Sequence, residues 1–425
     1  LALLAAGPAA AQIGLPGLPQ LPGAGLPARL GEGALRERLR EPLLDTADLP
    51  RRVSLDQLRL VTVRDLLQRH PAQLESDPAG FPIVRRAILA WSPSAAALAA
   101  AAAAGLAVVE RRDMPELGQV LLTLRVPDGM ATAAALAALR AADPDGVYDF
   151  DHVYTGAGTA DMPATQAATQ AARGAAGGDT RVGLIDSGVD ARHEVFDGAR
   201  IERWGCDGAA RPAPHGTAVA ALMIGKSARF AGAAPGAKLY AADVFCDQPT
   251  GGSASQIVQA LAWLAKEQIG VINISLVGPS NQMLARAVQA LVTRGHLLVA
   301  AVGNDGPAAP PLYPASYPGV VGVTGIDPKR RPLPEAARGP QVMFAAPGSQ
   351  MAAAAVGTPP YKLVRGTSFA APLVAALLAP RLPSPSPAYA AEAVASLAAS
   401  ATAAGDGTGR GVVGEQLRTP PSAFR

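Results

Sequence analysis

The sequence predicts an α/β protein: a three-layer, doubly wound, mostly parallel sheet preceded by a small α+β unit of ferredoxin-like element order. Three observations predict it. Between residues 181 and 302, strands that are apolar throughout alternate with amphipathic helices, the pattern of a parallel sheet covered on both faces. Ahead of them, residues 82–154 read β-α-β-β-α-β, the split βαβ order. In the second region polar and titratable residues stand where strands end and helices begin, the edge at which such sheets carry their working groups.

The totals agree with two domains and exclude some functions. A chain of 425 residues can bury a large core, and 49% of it is apolar. Aromatic residues make up only 4%, so Val, Leu and Ile must fill that core among many alanines. The 37 basic and 34 acidic residues leave a net charge of +3 with no basic block, which argues against a nucleic-acid partner.

Residues 1–11, "LALLAAGPAAA", look like the tail of a secretory signal peptide with cleavage after Ala11, so the product is expected to be secreted or periplasmic. No other run is apolar and long enough to span a bilayer. Residues 12–79 form a Pro/Gly-rich linker with short helices at 34–44 and 62–70. The α+β unit occupies 80–155, with strands at 82–91, 106–111, 118–126 and 146–154 and helices at 94–104 and 128–142. Asp149, Asp151 and His152 fall in its last strand, where alternation predicts an ordinary solvated edge rather than a metal site. Residues 156–178 are a Gly/Ala/Thr connector with a helical turn or two.

The large domain is placed at 179–415, ahead of a 416–425 tail. Its strands are expected at 181–186, 238–245, 270–276 and 296–302, and its helices at 217–225, 253–268 and 282–294. Ser253 and Gln256 make a capping-box pattern at the start of the second helix. Cys206 and Cys246 form a candidate disulfide in an oxidising compartment. No set of Cys and His residues makes a metal site.

Four stretches at the strand and helix ends carry the chemistry: "LIDSGVD", "PHGTAVA", "AVGNDGP" and "RGTSFAAP". Each has an ordinary use. Asp186 and Asn304 could start turns, and Ser368 could cap a helix. Together they supply what acyl transfer needs. Ser368 is a nucleophile once His215 removes its proton, Asp186 fixes and stabilises the imidazole, and Asn304 with the Ser368 N–H can hold an oxyanion.

These motifs, in this order, resemble the subtilisin family of serine proteases, over roughly 160–415. The resemblance implies Asp186, His215 and Ser368 as a catalytic triad, Asn304 as the oxyanion donor, and protein or peptide substrates. It implies that 273–278, "NISLVG", pairs with substrate backbone through Ser275, Leu276, Val277 and Gly278. Ala301, Val302, Gly303 and Leu312 would then line the pocket for the residue before the cut bond. The chain departs from the family at Ala218, where a second His is usual, and at Val277, where Gly is usual. With Leu312 on the pocket floor, Ala, Val or Leu should be preferred there over Phe or Tyr. The α+β unit is similar in element order to the family's amino-terminal propeptides, which implies a zymogen, an inhibitory amino-terminal domain and a cut within 154–164. No cofactor is required; a structural calcium is left open and unassigned. The alternative is a self-processing or catalytically silent peptide-binding protein on the same fold.

Overall fold

The computed structural model describes residues 55–156, 159–163 and 179–421. Residues 1–11 and the 34–44 helix expectation lie outside them. The amino-terminal unit runs α1 (Leu55–Arg69), β1 (Leu74–Ser76), β2 (Pro82–Trp91), α2 (Ala95–Ala103), β3 (Ala107–Met114), β4 (Gln119–Arg125), α3 (Thr132–Ala142) and β5 (Val147–His152). Two short strands follow, β6 (Thr155–Gly156) and β7 (Thr159–Pro163). The large domain comprises β8 (Arg181–Asp186), β9 (Ile201–Trp204), α4 (Pro214–Ile224), β10 (Lys238–Asp243), α5 (Ala254–Lys266), β11 (Val271–Ile274), β12 (Leu276–Val277), α6 (Gln282–Thr293), β13 (Leu297–Ala301), β14 (Val321–Ile326) and β15 (Val342–Pro347). It continues through β16 (Met351–Ala354), β17 (Tyr361–Arg365), α7 (Thr367–Leu378) and α8 (Pro387–Ala399).

Seven strands form a sheet in the order β15-β14-β13-β11-β8-β10-β9, with every neighbour parallel. Apart from the edge strand β9, their residues are largely buried on both faces, as the unbroken apolar runs require. On one face α4, α7 and α8 pack Val219, Leu222, Phe369 and Val374 against Leu184, Val299 and Val323. On the other, α5 and α6 pack Ile257, Leu261, Leu284 and Val288 against Ile185, Ile272 and Leu298. Neighbouring residues of one strand, such as Leu184 and Ile185, serve opposite cores because strand side chains alternate.

The amino-terminal strands form one antiparallel sheet, β1-β2-β4-β3, with β5 also paired to β2. Helices α2 and α3 cover one face around Ile88, Leu122, Leu124 and Leu136. The alternating set, Leu89, Trp91, Met114 and Leu121, joins the core built on α5 and α6. The small sheet therefore lies on those two helices.

That docking corrects the solvated-edge expectation. Asp149, Asp151 and His152 are only 7%, 4% and 4% exposed. Helix starts carry unpaired N–H groups and partial positive charge, and the two carboxylates satisfy them. Asp151 accepts from the Ser255 N–H (2.9 Å) and hydroxyl (2.7 Å) at the start of α5. Asp149 accepts from the Gln282 N–H (2.8 Å) at the start of α6. Burial pushes the Asp151 carboxyl up to about 6, against the downward pull of its two Ser255 donors. His152 lies between Asp77 (3.1 Å) and the Asn281 amide (3.1 Å).

Two other expectations change. The connector begins with strands β6 and β7, because edge pairing decides the conformation of a segment with weak local preference; residues 164–178 lie outside the described ones. The tail set at 416 packs on the large domain, where the Ala352 N–H donates to the Thr419 carbonyl (2.8 Å). Strands β14 to β17 and helix α8 were not assigned from the sequence. Asp151→Ala is expected to lower the unfolding free energy by about 1–2 kcal/mol, as loss of a helix cap does; the urea midpoint checks it.

Candidate active site

The site forms at the carboxyl edge of the parallel sheet. β8 ends at Asp186, which is fully buried, and α4 begins with Pro214 and His215. The Gly216 N–H donates to the Ser187 hydroxyl (3.0 Å), which seats the helix start on the strand end. From there His215 Nδ1 lies 2.8 and 3.0 Å from the two Asp186 oxygens. Its Nε2 lies 3.1 Å from Ser368 Oγ. With Nδ1–H donating to the carboxylate, Nε2 is the acceptor for the serine hydroxyl. Burial alone would lower the His215 pKa, but the Asp186 charge and hydrogen bond outweigh it and hold the ring above the usual histidine value.

Ser368 sits in the first turn of α7, just after Gly366, whose φ of 135° turns β17 into the helix. Pro372, inside the helix, has no N–H to give the carbonyl four residues back, which belongs to Ser368. The Ser275 hydroxyl supplies that missing donor at 2.9 Å. Asn273 in turn donates to Ser275 Oγ (2.9 Å), so the end of β11 holds the backbone of Ser368. Asn304 follows β13. Its Oδ1 accepts from the Thr367 N–H (3.1 Å), and the Gly303 N–H donates to Thr367 Oγ1 (3.2 Å). This orients the carboxamide with its oxygen toward the helix backbone and places its amide on the other side.

The strand expected to receive substrate is paired within the chain itself. β12 pairs antiparallel with β6, Leu276 with Gly156 and Val277 with Thr155. A Cβ on Gly156 would lie 3.3 Å from Cδ2 and Nε2 of His215, so the chain passes directly against the edge of that imidazole. Ahead of it, the Tyr154 N–H donates to the Gly252 carbonyl (2.9 Å). Its buried ring lies against Gly278, and its hydroxyl donates to the Pro279 carbonyl (2.7 Å). Leu312 packs beside Gly303. Ala301 and Val302 turn their side chains into the two opposite cores, which leaves their backbone at the sheet edge. Tyr154, Gly156 and Asn273 were not singled out from the sequence; the aromatic two residues after β5, ahead of a Gly/Ala/Thr run, was the available signal.

Cys206 and Cys246 are disulfide-bonded, with Cα atoms 5.1 Å apart, and tie the segment after β9 to that after β10. Among the described residues they and Asp243 are the one grouping with three donors near each other, and its sulfurs are bonded to one another rather than available as thiolates.

The Subtilase-family model matches residues 177–412, more than half of the chain. The chain belongs to the subtilase family. Its class is that of the subtilisin-type serine endopeptidases. Subtilisin DY of Bacillus licheniformis is 32% identical over 230 residues, 51% of this chain and 82% of that protein. Subtilisin E of Bacillus subtilis (strain 168) is 31% identical over 216 residues, 49% of this chain and 56% of that protein. The crystal structure of fervidolysin from Fervidobacterium pennivorans, a keratinolytic enzyme related to subtilisin, shares the fold. Its TM-score is 0.65 at 19% identity, over 83% of this chain and 62% of that one. No helix among the described residues is long and apolar enough to cross a membrane.

Two measurements follow from this geometry. In Asp186→Asn the His215 ring should titrate at lower pH than in the parent, read by histidine-selective NMR, since the charge that raises it is gone. Ser275→Ala leaves the buried Ser368 carbonyl without its donor and should cost about 1–3 kcal/mol of stability, read from urea unfolding.

Proposed function

We propose that the chain is a secreted endopeptidase, made as a zymogen, that cuts peptide bonds through an acyl-enzyme on Ser368. Ser368 Oγ attacks the carbonyl carbon while His215 Nε2 takes its proton, and Asp186 stabilises the imidazolium that results. The Asn304 amide and the Ser368 N–H hold the oxyanion. His215 then gives its proton to the leaving amine, and water, activated by the same nitrogen, releases the acyl group. The observation that carries this reading is the hydrogen-bonded line of Asp186, His215 and Ser368.

The zymogen reading rests on residues 154–156. They lie along β12 like a bound substrate, with Gly156 against His215, and Ser368 is fully buried. The amino-terminal unit is anchored behind them by Tyr154 and by the carboxylates on α5 and α6. It would act as the enzyme's own inhibitor, with the processing cut between Gly156 and Thr159. The disulfide supports export to an oxidising compartment.

Intact mass after incubation tests this account. The parent chain should split between Gly156 and Thr159 while Ser368→Ala stays whole; a parent that stays whole contradicts it. The covered serine also favours a second reading, a protein that cuts itself once and remains blocked, and turnover of added casein separates the two. On casein, Ser368→Ala should lose on the order of 10⁶ in turnover, the scale known for subtilisin. Asn304→Ala should lose roughly 10²–10³. Because catalysis needs neutral His215 and its pKa is raised, hydrolysis should fall as pH drops through a value above the usual ~6.5. A peptide library should favour Ala, Val or Leu before the cut bond over Phe or Tyr.

A further inference from the structure

β9 and β10 are neighbours in the parallel sheet, and each leads into a turn that carries one of the two cysteines. Asp243, the last residue of β10, stands beside both. One of its carboxylate oxygens and the two sulfurs lie within 4.8 Å of one another. Oδ1 accepts from the N–H groups of Phe245 (2.9 Å) and Cys246 (3.0 Å), which fixes the carboxylate on the second turn. Oδ2 is buried and has no hydrogen-bond partner among the described residues. A buried carboxylate oxygen without a partner is costly. Asp243 also lines a cavity of about 390 Å³ with Ser187, Gly205, Gly208 and Arg211. Gly205 and Gly208 flank Cys206, so the cavity gives an ion a way in beside that residue.

We propose that, once the disulfide is opened, Cys206, Cys246 and Asp243 bind one zinc-like divalent ion, which takes over the tie between the two turns. A thiol reductant opens the bond by passing two electrons to the sulfurs. Two reductant thiols close their own disulfide, and their protons end on Cys206 and Cys246. The ion then displaces both protons. Two thiolates and the carboxylate become its ligands, and a water from the cavity takes the fourth position.

The local structure suits such a site. Zn–S bonds of ~2.3 Å at tetrahedral angles put the sulfurs roughly 3.8 Å apart. With Cα atoms 5.1 Å apart, side-chain rotation reaches that separation without moving either strand. The Phe245 and Cys246 N–H groups hold the carboxylate as outer-shell donors do. An ion with two thiolates and a carboxylate carries the same net charge as the disulfide with that carboxylate. Asp186, which faces Asp243 in the β8–β10 register, therefore keeps its electrostatic surroundings when one tie replaces the other. The site is independent of the peptidase reading and stands apart from His215 and Ser368.

The test uses the full chain with Ser368→Ala, so that no self-cleavage intervenes. It is made in a reducing cytosol and kept under a phosphine, so that both cysteines are thiols. Cadmium is titrated in as a spectroscopic stand-in for zinc. The reduced chain should show thiolate-to-cadmium absorption in the ultraviolet that saturates at one ion per chain, and zinc should displace it. The same chain oxidised to the disulfide should show none. Asp243→Asn keeps the Oδ1 acceptor and should still form the disulfide. Its reduced form should bind cadmium ~10- to 100-fold more weakly, a loss no smaller than that of an outer-shell partner. Zinc should raise the urea midpoint of the reduced chain, and raise it less in Asp243→Asn. Absence of the absorption in the reduced chain, equal affinity in Asp243→Asn, or a urea midpoint that zinc leaves unchanged overturns the site. An equal cadmium signal from the oxidised chain overturns it as well, because the ligands would then lie elsewhere.

Discussion

The line of hydrogen bonds from Asp186 through His215 to Ser368 is the constraint on which the rest of the structure depends. Its members lie far apart in the chain and meet only because β8, α4 and α7 end or begin at one edge of the parallel sheet. A fully buried carboxylate is tolerated only when it is paired, and Asp186 is paired by His215 and by the Ser187 N–H (2.7 Å). The same economy of polar groups appears at Ser368. Pro372 removes a helix donor there, and Ser275 replaces it from the neighbouring strand. The position of Ser368 is consequently set by the sheet as well as by its own helix.

That edge also explains where the amino-terminal unit sits. The N-termini of α5 and α6 offer unpaired N–H groups to Asp151 and Asp149. The two carboxylates and the apolar face of the small sheet place β5 so that the next residues run onto β12. Tyr154 then fills a closed space under Gly278, and Gly156 is thin enough to pass His215. Docking of the small unit and the pairing of β6 with β12 are thus parts of one continuous contact.

Much of this was legible in the sequence. Asp186, His215, Asn304 and Ser368 each terminate an apolar strand or open a small-residue helix, and those are local signals. The element order of the amino-terminal unit was readable for the same reason. What was not readable depends on partners distant in the chain. Alternation told which face Asp149 and Asp151 share but not that two helix starts cover that face. β6 and β7 have little strand preference of their own and exist through pairing with β12 and β17. The side chains of Ala301 and Val302 are likewise assigned to the two cores by burial on both faces of the sheet, which their local sequence does not tell.

The central claim is that Ser368 is activated by its neighbours, and a covalent probe tests it most directly. The chain would be treated with a serine-directed phosphonate once incubation has opened the cleft, then digested and mapped by mass spectrometry. The account predicts one adduct per chain, on Ser368, with labelling that slows sharply in His215→Ala. Labelling spread over other serines, or an unlabelled Ser368 in a chain whose cleft is open, would contradict it.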